Sequence, residues 1–245
     1  MDDPTQNHLL ALLAPEDLAR LRRHMRFIDL PARTSLFAAE EPTQTIYFPV
    51  AGVASLMALD ADGAAVEMAS IGREGMVGLA GALGTQFTLG EVIQQIAGRA
   101  ATVPADVLRA DYRAGGSVAS VLERYTTALI AQIGQGVACN RLHDVEMRAA
   151  RWLLMCHDRV GLDTFALTHE FFAIMLGVAR PRVTLVAGIL QKAGMIRYTR
   201  GRITIVDRDG LESTSCACYQ IVRNEFNRLL GTENGWPVAS LHVAG

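Results

Sequence analysis

Residues 166–206 constrain the chain more than any other stretch. Thr168 stands where its hydroxyl can accept an unpaired backbone N–H and so cap a short helix from His169 to Leu176. Gly177 follows, and glycine there permits the left-handed backbone of a tight turn. Pro181 then falls in the first turn of a second helix, where its missing N–H does no harm, and that helix runs to about Lys192. Val183, Val186, Ile189 and Leu190 are expected to face inward, and Arg180, Arg182, Thr184, Ala187 and Gln191 outward. Ala193-Gly194 closes the helix, and residues 195–199 and 202–206 read as two strands joined by an Arg200-Gly201 turn. A helix, a glycine turn, a helix that opens on two arginines and a basic hairpin make a winged helix-turn-helix, whose second helix suits the major groove of duplex DNA.

Charge supports this placement. The formal net charge is −2, which by itself argues against a nucleic-acid partner. Its distribution is uneven, with ten arginines against fifteen acids in residues 1–140 and three against five in 207–245. Residues 141–206 reverse the balance, with nine arginines and Lys192 against five acids. A basic block in an acidic chain is the electrostatic footprint of a DNA-binding domain.

Upstream, the texture changes twice. Residues 8–25 carry Leu9, Leu10, Leu12, Leu13, Leu18 and Leu21 at helical intervals interrupted by Pro15. From residue 27 to about 106, short apolar runs alternate with turn signals, of which Asp62-Gly63 is the clearest hairpin, and this predicts an all-β domain of jelly-roll or barrel type. Residues 117–140 return to helical period. There Val118, Leu122, Tyr125, Leu129 and Ile133 form a near-heptad seam, expected to hold a second copy of the chain, although a helix packed on its own β domain would show the same pattern. Gly134 and Gly136 in this helix suggest a bend or a close helix approach. Asp144 can cap a further helix running to about residue 160 and ended by Gly161.

With those residues in view, the chain resembles the CRP/FNR family of bacterial transcription regulators. The resemblance is carried by Leu167-Thr168-His169-Glu170, by Met175-Leu176-Gly177-Val178-Ala179-Arg180, by Val183-Thr184, by Leu190-Gln191-Lys192-Ala193-Gly194-Met195-Ile196 and by Arg200-Gly201-Arg202. The order of β-rich domain, long helix and winged helix also fits, over about residues 10–230. The resemblance implies that Arg180 reads a guanine edge, and that Thr168, Arg182 and the wing residues Arg200 and Arg202 grip phosphates. Two positions depart from the family. Pro181 stands where many members have an acid, and Leu185 where many have an arginine, so a different operator is expected, with Thr184 and Arg182 as substitute readers.

Members that bind cyclic nucleotides use a glycine turn, a ribose-binding Glu and an Arg-Ser or Arg-Thr pair. The matching stretch runs from Ile71-Gly72-Arg73-Glu74-Gly75 to Gly78-Leu79, then Thr88-Leu89-Gly90-Glu91. Leu79 stands in place of the ribose Glu, and Glu91 would repel an anion, so cyclic AMP is not the expected effector and the effector is left unknown. Arg73 and Arg99 could supply charge but do not fit the cassette. No histidine lies between His24 and His143, which argues against a His-ligated metal cupin, and no N-terminal cysteine cluster suggests an iron–sulfur sensor. Cys139 with His143, and Cys216 with Cys218, read as packing residues, and no metal site is expected.

These observations predict an α+β chain. Residues 1–116 form a cyclic-nucleotide-binding-like β-roll, 117–140 a dimerisation helix, 141–207 the winged helix-turn-helix and 208–245 a helical extension. No apolar run reaches the ~18–20 residues of a membrane span. The acidic Met1-Asp2-Asp3-Pro4 start does not read as a signal peptide, so a cytoplasmic location is expected. The expected partners are duplex DNA and a second copy of the chain, with RNA polymerase a further candidate. Two alternatives stay open: a ligand-independent regulator with a purely structural β-roll, and a small-molecule binding module or enzyme with an incidental wing. Neither paired acids nor a nucleophile with its base supports an enzyme.

Overall fold

The computed structural model describes residues 2–85 and 90–231. In chain order the elements are α1 (His8–Ala11), α2 (Pro15–Arg22), β1 (Arg26–Leu30), β2 (Ser35–Phe37), β3 (Thr45–Leu59), β4 (Ala65–Ile71), α3 (Leu79–Leu83), β5 (Glu91–Pro104) and α4 (Ala105–Ala114). Then follow α5 (Gly116–Leu142), α6 (Val145–Val160), β6 (Thr164–Ala166), α7 (His169–Leu176), α8 (Arg180–Lys192), β7 (Ile196–Thr199), β8 (Arg202–Ile205), α9 (Arg208–Thr214) and α10 (Cys218–Leu230). The fold is α+β, with an N-terminal sheet domain and a C-terminal helix-turn-helix.

The N-terminal sheet is antiparallel throughout, in the order β1-β5-β3-β4, with β2 also on β5. Ala51-Gly52 lies within β3, and the strand runs through it, bent by bulges between Pro49 and Ala54. The bend needs two glycines. A Cβ at Gly98 would come to 2.0 Å from the Ala51 carbonyl oxygen, and one at Gly52, where φ is +81°, to 2.5 Å from that of Ile96. The leucine-rich start is two helices, because Pro15 opens α2 rather than kinking one continuous helix. Asn7 ties them to the sheet: its Oδ1 accepts from the Leu9 and Leu10 amides, while its Nδ2 donates to the carbonyls of Pro49 and Gly75.

Helix α5, about 40 Å long at 1.5 Å per residue, corrects the expected dimer seam. Val118, Leu122, Tyr125 and Leu129 lie inside the protomer's own core with Leu9, Leu10, Phe48 and Met76, and Ile133 packs half-buried against the same cluster. The Tyr125 hydroxyl donates to the Met76 carbonyl, and its ring sits where a side chain at Gly75 would be. These residues turn toward the sheet because it offers the nearest large apolar surface. A different stripe of α5 reaches solvent: Glu123, Thr127, Ile130, Gly134, Val137 and Arg141, spaced four, three, four, three, four. Ile130 is 64% exposed and Val137 68%.

The C-terminal half docks on the sheet. Val53, Met57 and Ile96 share one core with Trp152, Phe172 and Met175. Trp152 donates from its indole nitrogen to Glu67, whose carboxyl is pushed up by burial. A buried ion pair reinforces the join. Glu74, in the glycine-rich loop, accepts from Arg159 of α6 at 2.8 Å, and Arg159 also donates to the Met155 carbonyl and to Gln132. Such a pair survives burial because its polar atoms are hydrogen-bonded. Asp144 precedes α6 as expected but makes no side-chain cap. Among the described residues, no single helix is long and apolar enough to cross a membrane.

Candidate nucleic-acid interface

The helix-turn-helix forms where the local signals place it. The Thr168 hydroxyl accepts from the Phe171 amide, Gly177 is left-handed with φ 59°, and Pro181 lies in the first turn of α8. The α7 and α8 axes bend by 102°, within the ~90–120° of such units. Val183, Val186, Ala187 and Leu190 bury the inner face of α8 against Phe172, Leu153 and Leu154. Two expected orientations are corrected: Ala187 is buried, whereas Ile189 is 40% exposed. Position 187 shares its face with 183 and 190 on a 3.6-residue turn, while 189 shares one with 185.

Arg180 opens α8 on the surface, and Glu170 of α7 holds its Nε at 2.8 Å. Both side chains of this pair are largely exposed. Arg182 and Lys192 are exposed on the same helix. Thr184 is exposed, but its hydroxyl pairs with His169 Nδ1 at 3.0 Å and with the Arg180 carbonyl oxygen. Leu185, singled out in the sequence, is 56% exposed on this face; Ile189 beside it is expected from sequence to point inward, and projecting α8 at 100° per residue would have placed it outside.

The hairpin stands beside α8. Arg200 and Gly201 both have positive φ, 49° and 74°, the two-residue turn that suits the strand twist, and Thr199 pairs with Arg202 across it. A third strand not foreseen from sequence, β6, completes the sheet in the order β6-β8-β7. The Tyr198 amide donates to Gln191 of α8, its ring lies 4.5 Å from that of His169, and its hydroxyl donates to the Leu167 carbonyl. Burial pushes the Tyr198 phenol up to about 12, so it stays a donor. Arg197, Arg200 and Arg202 are exposed. Arg148, Arg151 and Arg159 are buried, so the basic surplus that meets solvent comes mostly from α8 and the hairpin.

In the sheet domain, Leu79 begins α3 and Glu91 begins β5, while Thr88 and Leu89 lie outside the described residues. Arg99 is engaged by Asp2 at 2.8 Å and by Asp29, and lies over the Phe27 ring. Phe37, Ala54, Ile71, Val77 and Val92 form a small apolar cluster of the sheet domain.

At the far end of α5, four side chains that sequence reading left in two separate places converge. Cys139 and His143, one turn apart, meet Cys216 and Cys218, and their ligating atoms all lie within 4.8 Å of one another. The Cys139 thiol stands 3.5 Å from Cys216, and this hydrogen bond holds the Cys216 thiol well below its usual range and pushes Cys139 up.

Residues 147–214 match the family model of the Crp-like helix-turn-helix domain. No curated protein matches the sequence. Among solved structures, FixK2 from Bradyrhizobium japonicum is similar with a TM-score of 0.67 at 18% identity, over 79% of this chain and 98% of that one. A transcriptional regulator of the crp/fnr family from Eubacterium rectale gives 0.64 at 16%, over 86% and 98%. A CRP-family transcriptional regulator from Thermus thermophilus gives 0.63 at 20%, over 77% and 96%. Identities this low speak to a shared fold.

Proposed function

We propose that this chain, which carries a Crp-like helix-turn-helix domain on the fold of the CRP/FNR transcription regulators, is a homodimeric regulator that reads an inverted-repeat operator. The observation that carries the reading is α8 itself. Its inner face is packed, its outer face is exposed, and its first residue is an exposed arginine paired at Nε with Glu170. A bidentate arginine–guanine pair asks for that presentation. Arg182 and the hairpin arginines then lie where phosphates run beside a helix in the major groove.

Dimerisation uses the exposed heptad stripe of α5, Thr127, Ile130, Gly134 and Val137, in place of the buried seam expected from sequence. Gly134 has open space around the position of an added Cβ, so two α5 helices can approach closely there. The sheet domain acts as a scaffold or receives a signal other than a cyclic nucleotide. Leu79 and Glu91 put no anion-binding group where the family cassette has one, and Arg99 is taken by Asp2. The test is selection of DNA from a random duplex pool by the full-length chain. One enriched inverted repeat supports the reading, and recovery of unselected sequence counts against it.

A further inference from the structure

Cys139 lies in the last turn of α5, and His143, four residues on, caps that helix in extended backbone where it gives way to α6. Cys216 and Cys218 flank the start of α10, just past residue 214, where the match to the Crp-like domain ends. All four side chains are buried or half-buried. Besides the thiol pair at 3.5 Å, the Cys218 sulfur is 3.4 Å from His143 Nδ1. Around a tetrahedral Zn²⁺ with Zn–S of about 2.3 Å, two thiolate sulfurs sit about 3.8 Å apart. Two of the ligand pairs therefore already have about the separation that one tetrahedral ion needs, and all four atoms lie within 4.8 Å of one another, too close to span an iron–sulfur cubane.

The surroundings independently favour this. A divalent ion held by three thiolates and a neutral imidazole leaves one net negative charge. Two buried guanidiniums stand near it: Arg151 acts on Cys139, and Arg148 on Cys139 and Cys216. The Nε atoms of both arginines are buried without a hydrogen-bond partner, while Arg148 also donates to the Leu176 carbonyl. Gln135 also donates to the Cys218 sulfur at 3.0 Å, a contact that steadies a thiolate ligand.

We propose that Cys139, His143, Cys216 and Cys218 form a Cys₃His site for a thiophilic tetrahedral ion of the zinc class. Soft sulfur ligands select such an ion over calcium or magnesium. On binding, the three cysteines ligate as thiolates, the protons that Cys139 and Cys218 carry pass to solvent, and His143 ligates through Nδ1 as the neutral ring. The ion clamps the end of α5, the junction to α6 and the start of α10 into one unit. That places a metal-dependent joint between the long helix and the DNA-reading domain.

The test is titration of the reduced, metal-free, full-length chain with Co²⁺, followed by displacement with Zn²⁺. One Co²⁺ per chain is expected, with thiolate charge-transfer bands and the visible absorption of a tetrahedral site, both erased by Zn²⁺. His143→Ala changes a half-buried side chain and Cys218→Ala a small one. Each, verified as folded by circular dichroism, should weaken metal binding by at least the roughly 10–100-fold that loss of a mere outer-shell partner costs. Cys156→Ala, which removes the buried thiol outside the cluster, should keep the spectrum. Zn²⁺ should raise the melting temperature of the parent chain and not that of His143→Ala. No tetrahedral spectrum from the folded, reduced chain would overturn the proposal, as would an unchanged spectrum in both ligand variants. Recovery of a Cys139–Cys216 disulfide with no metal uptake after its reduction would replace the ion by a thiol pair.

Discussion

Arg180 and Arg202 are both exposed arginines of one domain, and under the proposed reading they do different work. Arg180 opens α8 and is oriented by Glu170, whereas Arg202 flanks the hairpin turn. Arg180→Ala is expected to cost roughly 1–3 kcal/mol of binding and to relax preference at one base pair per half-site. Arg202→Ala is expected to weaken all sequences alike and to flatten the salt dependence by about one unit for each phosphate no longer neutralised. Binding of both variants to single-base operator variants at two salt concentrations separates the roles. Were Arg180→Ala to weaken every variant equally, Arg180 would be a phosphate clamp. Base reading would then pass to Arg182, since Thr184 is already bonded to His169.

At the scale of elements, α5 carries two apolar registers and sequence pattern alone cannot rank them. Val118, Leu122, Tyr125 and Leu129 fill the protomer core, while Ile130 and Val137 stay outside it. Leu122→Ala should destabilise the protomer by about 2–5 kcal/mol, read by denaturant unfolding. Ile130→Glu with Val137→Glu should leave the fold intact and convert the dimer to monomer in light scattering at micromolar concentration. A dimer that persists in the double variant would remove α5 from the interface. The contrast shows what sequence reveals. α7, α8 and the wing were legible because their signals are local: a Thr168 cap, Gly177, Pro181 and the Arg200-Gly201 turn. The face of α5, the run of β3 through Gly52 and the Glu74–Arg159 pair were not, because each depends on a partner distant in sequence. The same holds for Cys139 and Cys216, 77 residues apart.

Across the whole molecule, the sheet domain, α5 and the DNA-reading domain meet around Glu74, Gln132 and Arg159. A signal at the sheet therefore has a packed route to α6, but the cassette chemistry argues against a cyclic nucleotide as that signal. Millimolar cyclic AMP should leave the melting temperature and DNA affinity unchanged, since a ligand at 100 times its Kd stabilises by about 2.7 kcal/mol and would be plain in a melting curve. A clear upward shift would mean that the stretch from Gly72 to Glu91 binds phosphate by other groups. The central claim, that two α8 helices read two half-sites at once, is tested most directly by spacing. The full-length chain is bound to its selected operator, to a single half-site, and to the operator with half a helical turn inserted between half-sites. Half-site centres should lie about 34–36 Å apart. Removing one half-site or inserting the half turn should then weaken binding by roughly 10²–10⁴-fold, because only one α8 can engage its half-site. Equal affinity for all three duplexes would contradict the account.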